Sequence, residues 1–194
     1  MHSDRLIQYL SEKSNTTKNM KKYKIIRPCS NIKPKNIIDF NNRKIDILFF
    51  EKYSDIDHRK EGQLLLSELK KFTKNIVTIS YGSYNKKSMK KIANESRFII
   101  YFSFYDTGAI GLKEFQNFGV FAFVHQKEFV INNETSFYIP ELALRHNMKL
   151  ASNKIIRIIK DISEKNPNSY LIAKKNQITN NCKNALLDLC NCLI

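Results

Sequence analysis

The segment SFYDTGAIGLKEFQNFG, Ser103 to Gly119, lies between two apolar runs, RFIIYFS and VFAFV, and carries two carboxylates and two internal glycines. Asp106 and Glu114 are eight positions apart, and Gly108 and Gly111 flank the start of a short amphipathic stretch. A helix beginning there offers free backbone amides and a positive dipole end, both suited to an anion. Glycine at that threshold lets a phosphate or a sugar approach the backbone closely. Glu114 falls about two helical turns beyond Asp106 and faces a ligand when the helix points its start toward it. A carboxylate accepts from two vicinal hydroxyls at once. The bland alternatives are Asp106 as an ordinary helix N-cap and Glu114 as a solvated position.

These residues need elements to hold them. KIDILFF, from Lys44, is a continuous apolar run of strand length, the mark of a strand buried on both faces. HRKEGQLLLSELKKF follows with leucines at helical spacing. Then come NIVTISYG as a strand, NKKSMKKIANES as a helix, RFIIYFS as a strand, TGAIGLKEFQNF as a helix and VFAFV as a strand. Strand and helix alternate, which predicts an α/β fold with a parallel sheet and right-handed crossovers. EFVINNETSFYIP adds an edge strand or a loop, and ASNKIIRIIKDISEKN reads as an amphipathic helix with Ser152 as its cap. Ligands of such sheets bind beyond the carboxyl ends of the strands. The segments to inspect are therefore EKYSDIDHRK, YGSYNK and SFYDTGAIG. Two histidines fall at strand ends: His58 in the first, basic loop, where solvent exposure is expected, and His125 after VFAFV, as a packing or surface residue.

The chain has 194 residues, enough for one domain with a real core. Its domain plan is a helix and linker over 1–43, a Rossmann-like domain over 44–164 and a helical tail over 165–194. No apolar run approaches the roughly 20 residues of a membrane-spanning helix, and the opening residues lack the pattern of a secretory signal, so a cytoplasmic location is expected. Cys29 stands alone, and Cys182, Cys190 and Cys192 lack the spacing and the histidine of a zinc site. They read as buried free thiols on an apolar helix face, and no metal is assigned. The formal charge of +15 favours polyanionic partners. The lysines are scattered, however, and come with abundant asparagine and isoleucine, as in A+T-rich coding. No nucleic-acid-binding motif accompanies them, which disfavours a nucleic-acid partner.

The segment SRFIIYFSFYDTGAIGLKEFQNFGVFAFV resembles the nucleotide-sugar half of family 4 glycosyltransferases of the GT-B fold. That family shows a strand ending in serine and two acidic residues with seven positions between them across a glycine-containing helix start. A small-residue turn and another strand follow. Here the pattern reads Asp106-x7-Glu114 with Gly119 before VFAFV, and the similarity extends over roughly residues 44–142. The resemblance implies a Rossmann-like three-layer domain, as in the C-terminal domain of GT-B enzymes. It places Glu114 on the ribose hydroxyls, Asp106 beside the donor sugar, and the backbone of Thr107, Gly108, Ala109 and Ile110 near the sugar and diphosphate. Lys52 and Arg59, with Lys60, fall where basic residues neutralise the diphosphate. The loop Tyr81 to Tyr84, with Gly82 and Tyr84, borders the nucleobase.

The activity so implied is transfer of a sugar, with retention, from a nucleoside diphosphate sugar to a glycan or lipid-linked acceptor. No cofactor or metal is required, and the basic surface permits contact with an anionic membrane. The resemblance also implies an N-terminal acceptor-binding domain, of which residues 1–43 have only the size of a remnant. The competing reading is a non-catalytic basic α/β module that binds nucleic acid or a protein partner.

Overall fold

The computed structural model describes residues 32–103, 109–130, 133–144 and 147–179. The expected N-terminal helix, the tail beyond 179, the four cysteines and Asp106, Thr107 and Gly108 lie outside the described residues.

Strand β1, Ile45–Lys52, sends Ile47 and Phe49 to one core and Leu48 and Phe50 to the other. Strand side chains alternate between faces, so an unbroken apolar run requires cover on both. β2 is Ile76–Ser80 and β3 is Ser96–Ser103. In β3, Phe98, Ile100 and Phe102 face the first core, while Ile99 and Tyr101 face the second. β4, Phe121–Val124, splits in the same way, and β5, Ser136–Tyr138, is the edge strand that the sequence left open as strand or loop. The order is β2-β1-β3-β4-β5, with every neighbouring pair parallel.

Helices fill both faces of this Rossmann-like three-layer sandwich. α1, Ile56–Phe72, buries Leu65 and Leu69 on the first face. α2, Lys86–Glu95, and α3, Ile110–Gln116, bury Met89, Ala93, Leu112 and Phe115 on the second. The short α4, Pro140–Leu144, and α5, Met148–Glu164, return to the first face through Leu142, Ala151, Ile155 and Ile159. Right-handed crossovers explain the split. The chain steps outward from β1 to β2 and then back past β1 to β3, so α1 and α2 fall on opposite faces. That reversal makes the carboxyl ends of β1 and β3 the switch point, where α/β sheets bind ligands.

The cap of α5 is Asn147, whose side chain accepts from the Leu150 amide at 2.9 Å, and not Ser152. Ser152 lies inside the helix, buried, and donates to the Lys149 carbonyl at 2.9 Å. The helix begins one turn earlier than the run KIIRIIK suggests because Met148 and Ala151 are themselves core residues.

Residues 32–43, read from sequence as linker, pack on the amino ends of the strands. Phe40 meets Phe98 and Phe121 edge-on at 5.6 and 5.9 Å. Arg43 is buried and donates to the carbonyls of Ser96 at 2.5 Å, Phe118 at 2.6 Å and Ile38 at 3.1 Å. Burial first, and the Arg97 charge second, lower its pKa to about 10. α6, Ser169–Thr179, closes the same end. Its Asn176 donates to the Gln116 carbonyl at 2.8 Å and accepts from the Thr135 hydroxyl at 3.0 Å. Among the described residues no helix is long and apolar enough to cross a membrane.

Candidate functional site

Beyond the carboxyl ends of β1 and β2 lies a cleft of about 380 Å³, lined by Glu51, Lys52, Tyr53, Arg59, Ser80 and Tyr81. Small-molecule sites span roughly 300–1,000 Å³. Register builds its floor: Glu51 pairs with Ser80 across to β2, and Lys52 pairs with Ser103 across to β3. The Ser80 hydroxyl donates to Glu51 Oε1 at 2.5 Å, and the Tyr53 hydroxyl donates to Glu51 Oε2 at 2.5 Å. The Glu51 carboxylate is thus held by neutral hydroxyls and forms no ion pair with a described residue.

Tyr53 is seated from below. A Cβ at Gly62, in the second turn of α1, would come within 2.6 Å of the Tyr53 ring and 2.8 Å of its hydroxyl. Glycine is what lets the ring lie on the helix. The ring also meets His58 edge-on at 5.4 Å and Phe102 at 6.3 Å. Burial pushes the Tyr53 phenol well above its usual range. The hydrogen bond to Glu51 and that residue's charge act in the same direction, and Arg59 opposes them.

The expected exposure of His58 is not what forms: it is fully buried, 4.5 Å from the Phe102 ring. The loop is shorter than the sequence suggests. α1 starts at Ile56, Asp55 accepts from the His58 amide at 2.7 Å, and the imidazole turns inward, its Nδ1 accepting from the Ser54 amide at 3.2 Å. His125 does pack, edge-on to Phe129 at 5.4 Å.

Of the basic residues singled out from sequence, Lys52 and Arg59 share the cleft, and neither has a carboxylate partner among the described residues. Lys52 Nζ rests 4.3 Å from the centre of the exposed Tyr81 ring. Lys60 instead pairs with Asp57 at 3.3 Å on the outer side of α1. Gly82 is an exposed turn residue at φ +83°, in a turn closed by the Ser83 amide on the Ser80 carbonyl at 3.0 Å. Positive φ at that third position is what glycine supplies. Tyr84 packs inward, 5.9 Å from the Phe50 ring, so the aromatic wall of the cleft is Tyr81.

On the other face, Glu114 is half-buried on α3. Burial raises its carboxyl above the ordinary glutamate value, while Lys86 and Lys90 of α2 pull it back. Ala109, just before α3, is buried in the left-handed region at φ 47°, a conformation that costs an L-residue about 1–2 kcal/mol. Ile110 is the first helical residue and is exposed. Asp106, Thr107 and Gly108 belong to the undescribed stretch between β3 and Ala109.

Glu51, Tyr53 and Ser80 were not among the residues singled out from sequence. The available signal was a carboxylate ending an apolar strand, IDILFFE, next to a second strand ending in serine, NIVTIS. Chemically the cleft offers two cations for an anion, a fixed carboxylate for hydroxyl donors, and an aromatic face. Among the described residues no group of three histidine, cysteine or acidic side chains is gathered to hold a metal. No protein family, curated protein or solved structure matches this chain.

Proposed function

We propose that this chain binds a nucleoside diphosphate sugar beyond the carboxyl ends of β1, β2 and β3, and that it is the donor half of a glycosyltransferase. One observation carries the reading: Lys52 and Arg59 line one cleft at the end of a parallel sheet, and neither forms an ion pair with a carboxylate among the described residues. The resemblance around Asp106 and Glu114 supplies the ligand class.

In this reading the bond between the anomeric carbon and the leaving oxygen breaks, and its electron pair passes to the diphosphate. Lys52 and Arg59 stabilise the charge that develops there, which fixed cations do without reorganisation. Glu114 accepts from the ribose hydroxyls, and Asp106 lies beside the sugar. The hydroxyl of a glycan or lipid-linked acceptor, presented by another domain or chain, forms the new bond to the anomeric carbon and passes its proton to the leaving diphosphate oxygen. Transfer with retention follows from the family resemblance.

Calorimetry with UDP, GDP and their sugar conjugates tests the proposal. Saturable binding of one nucleotide series is expected. Lys52→Ala or Arg59→Ala removes a charge-assisted contact of about 1.5–3 kcal/mol, and Glu114→Ala removes about 1–3 kcal/mol of hydrogen bonding to ribose. A folded sample that binds neither series sinks the reading. Binding of polynucleotide instead, falling steeply with salt, favours the basic-module alternative.

A further inference from the structure

We infer that Glu51 reads the nucleobase and makes the cleft selective for guanine: its two carboxylate oxygens receive the adjacent N1–H and N2–H donors of the guanine edge. The inference rests on the nucleotide-sugar reading of the same cleft, in which the base lies on the Tyr81 side. Tyr81 supplies an exposed aromatic face on which a base can stack. Stacking of that kind tolerates any base, so the choice among bases falls to hydrogen bonds at the base edge. Glu51 is tied to that ring. Ser80 stands opposite Glu51 in strand register, and the next residue, Tyr81, donates its amide to the Glu51 carbonyl at 2.9 Å. Lys52 Nζ rests over the same ring, 4.3 Å from its centre, so a cation for the diphosphate and a stacking face for the base are neighbours.

The carboxylate is fixed before any ligand arrives. Ser80 holds Oε1 and Tyr53 holds Oε2, each at 2.5 Å, and Tyr53 is seated on Gly62. A carboxylate has about four lone-pair positions, so each oxygen keeps one for the ligand. An acceptor already locked in place loses little side-chain freedom on binding. Two parallel N–H groups on one side of guanine match such a pair of oxygens, as the fork of a guanidinium does. Uracil offers a single N–H between two carbonyls, and adenine a single amino group beside a ring acceptor. Either base leaves one carboxylate oxygen without its donor, and a site built for two donors discriminates against a base that brings one. The ribose hydroxyls go to Glu114 in the same reading, which leaves Glu51 to the base.

The test measures GDP, UDP, inosine diphosphate and xanthosine diphosphate by calorimetry on the full chain. GDP is expected to bind at least about tenfold tighter than UDP. Inosine diphosphate lacks only the 2-amino group of GDP and should be weaker than GDP by about tenfold. Glu51→Gln keeps the shape but presents one donor and one acceptor, the complement of xanthine with its N1–H and 2-carbonyl. The variant should therefore lose affinity for GDP and gain it for xanthosine diphosphate, inverting their order, which a merely structural Glu51 would not do. UDP binding as tightly as GDP, or inosine diphosphate binding as tightly as GDP, overturns the inference. So does a folded Glu51→Gln chain that still prefers GDP to xanthosine diphosphate as the wild type does. Should the variant fail to fold, the comparison of GDP with inosine diphosphate on the wild-type chain decides alone. Each of these failures leaves the nucleotide-sugar reading standing, whereas absence of any nucleotide binding removes that reading and this inference with it.

Discussion

A Cβ at position 119 would stand 2.5 Å from the Ser169 carbonyl oxygen, on a backbone with φ +76°. At position 111, inside α3, a Cβ would meet nothing within 4 Å. One substitution therefore has opposite outcomes at the two sites. Gly119→Ala adds left-handed strain of about 1–2 kcal/mol and drives a backbone oxygen of α6 away. Gly111→Ala gains up to about 1 kcal/mol of helix propensity. Thermal unfolding should show a lowered midpoint for the first and a raised one for the second. Glu114 belongs to the same scale. Its folded-state pKa is raised, so its contribution to stability is fully present below the unfolded glutamate value and is lost as pH rises through the folded one. Glu114→Gln has no such loss. Urea midpoints of variant and wild type should coincide in acid and separate toward pH 7, with the variant more stable. A carboxylate kept at such a cost suits a ligand-binding role. Glu114 stood out in the sequence through its spacing from Asp106, but its burial depends on α2 lying against α3.

At the scale of elements, β1 and α1 together make the site. The apolar run of β1 and the leucine spacing of α1 were both legible, because each pattern is local to its own segment. The start of α1 was not. SDID contains two aspartates, and only the fold makes Asp55 the cap while Asp57 pairs with Lys60. That choice turns His58 inward and Arg59 toward the cleft. Gly62 links the helix to the cleft. Gly62→Ala should displace the Tyr53 ring, because the clash falls on the far end of that side chain. The gain in helix propensity, about 1 kcal/mol, offsets much of the strain, so stability should change little. The Tyr53 phenol, now raised by burial and by Glu51, should return toward the ordinary range. Ultraviolet titration of the tyrosines checks this, and an unchanged high-pH phenol would show that Tyr53 had not moved.

For the molecule as a whole, the amino end of the sheet is closed by residues 32–43 and α6, and the carboxyl end is left to the cleft. A chain ending at Lys165 loses three buried or part-buried hydrogen bonds, Asn176 to Gln116, Thr135 to Asn176 and Gln177 to Asn117, besides the exposed Lys175–Glu134 pair, which contributes little. At about 1 kcal/mol each, stability should fall by about 3 kcal/mol, visible as a lower urea midpoint by circular dichroism. An unchanged midpoint would mean that α6 adds nothing to the domain. The sequence by itself determined the alternation of strands and helices and the burial of the central strands on both faces, because hydrophobic periodicity is written within each segment. Only the tertiary structure decided that Ser80 meets Glu51, that Tyr53 folds over Gly62, and that Arg43 gathers carbonyls from β3 and the turn before β4. Those contacts join residues of different elements, most of them far apart in the chain. They depend on strand order and register, which no local pattern of residue types specifies.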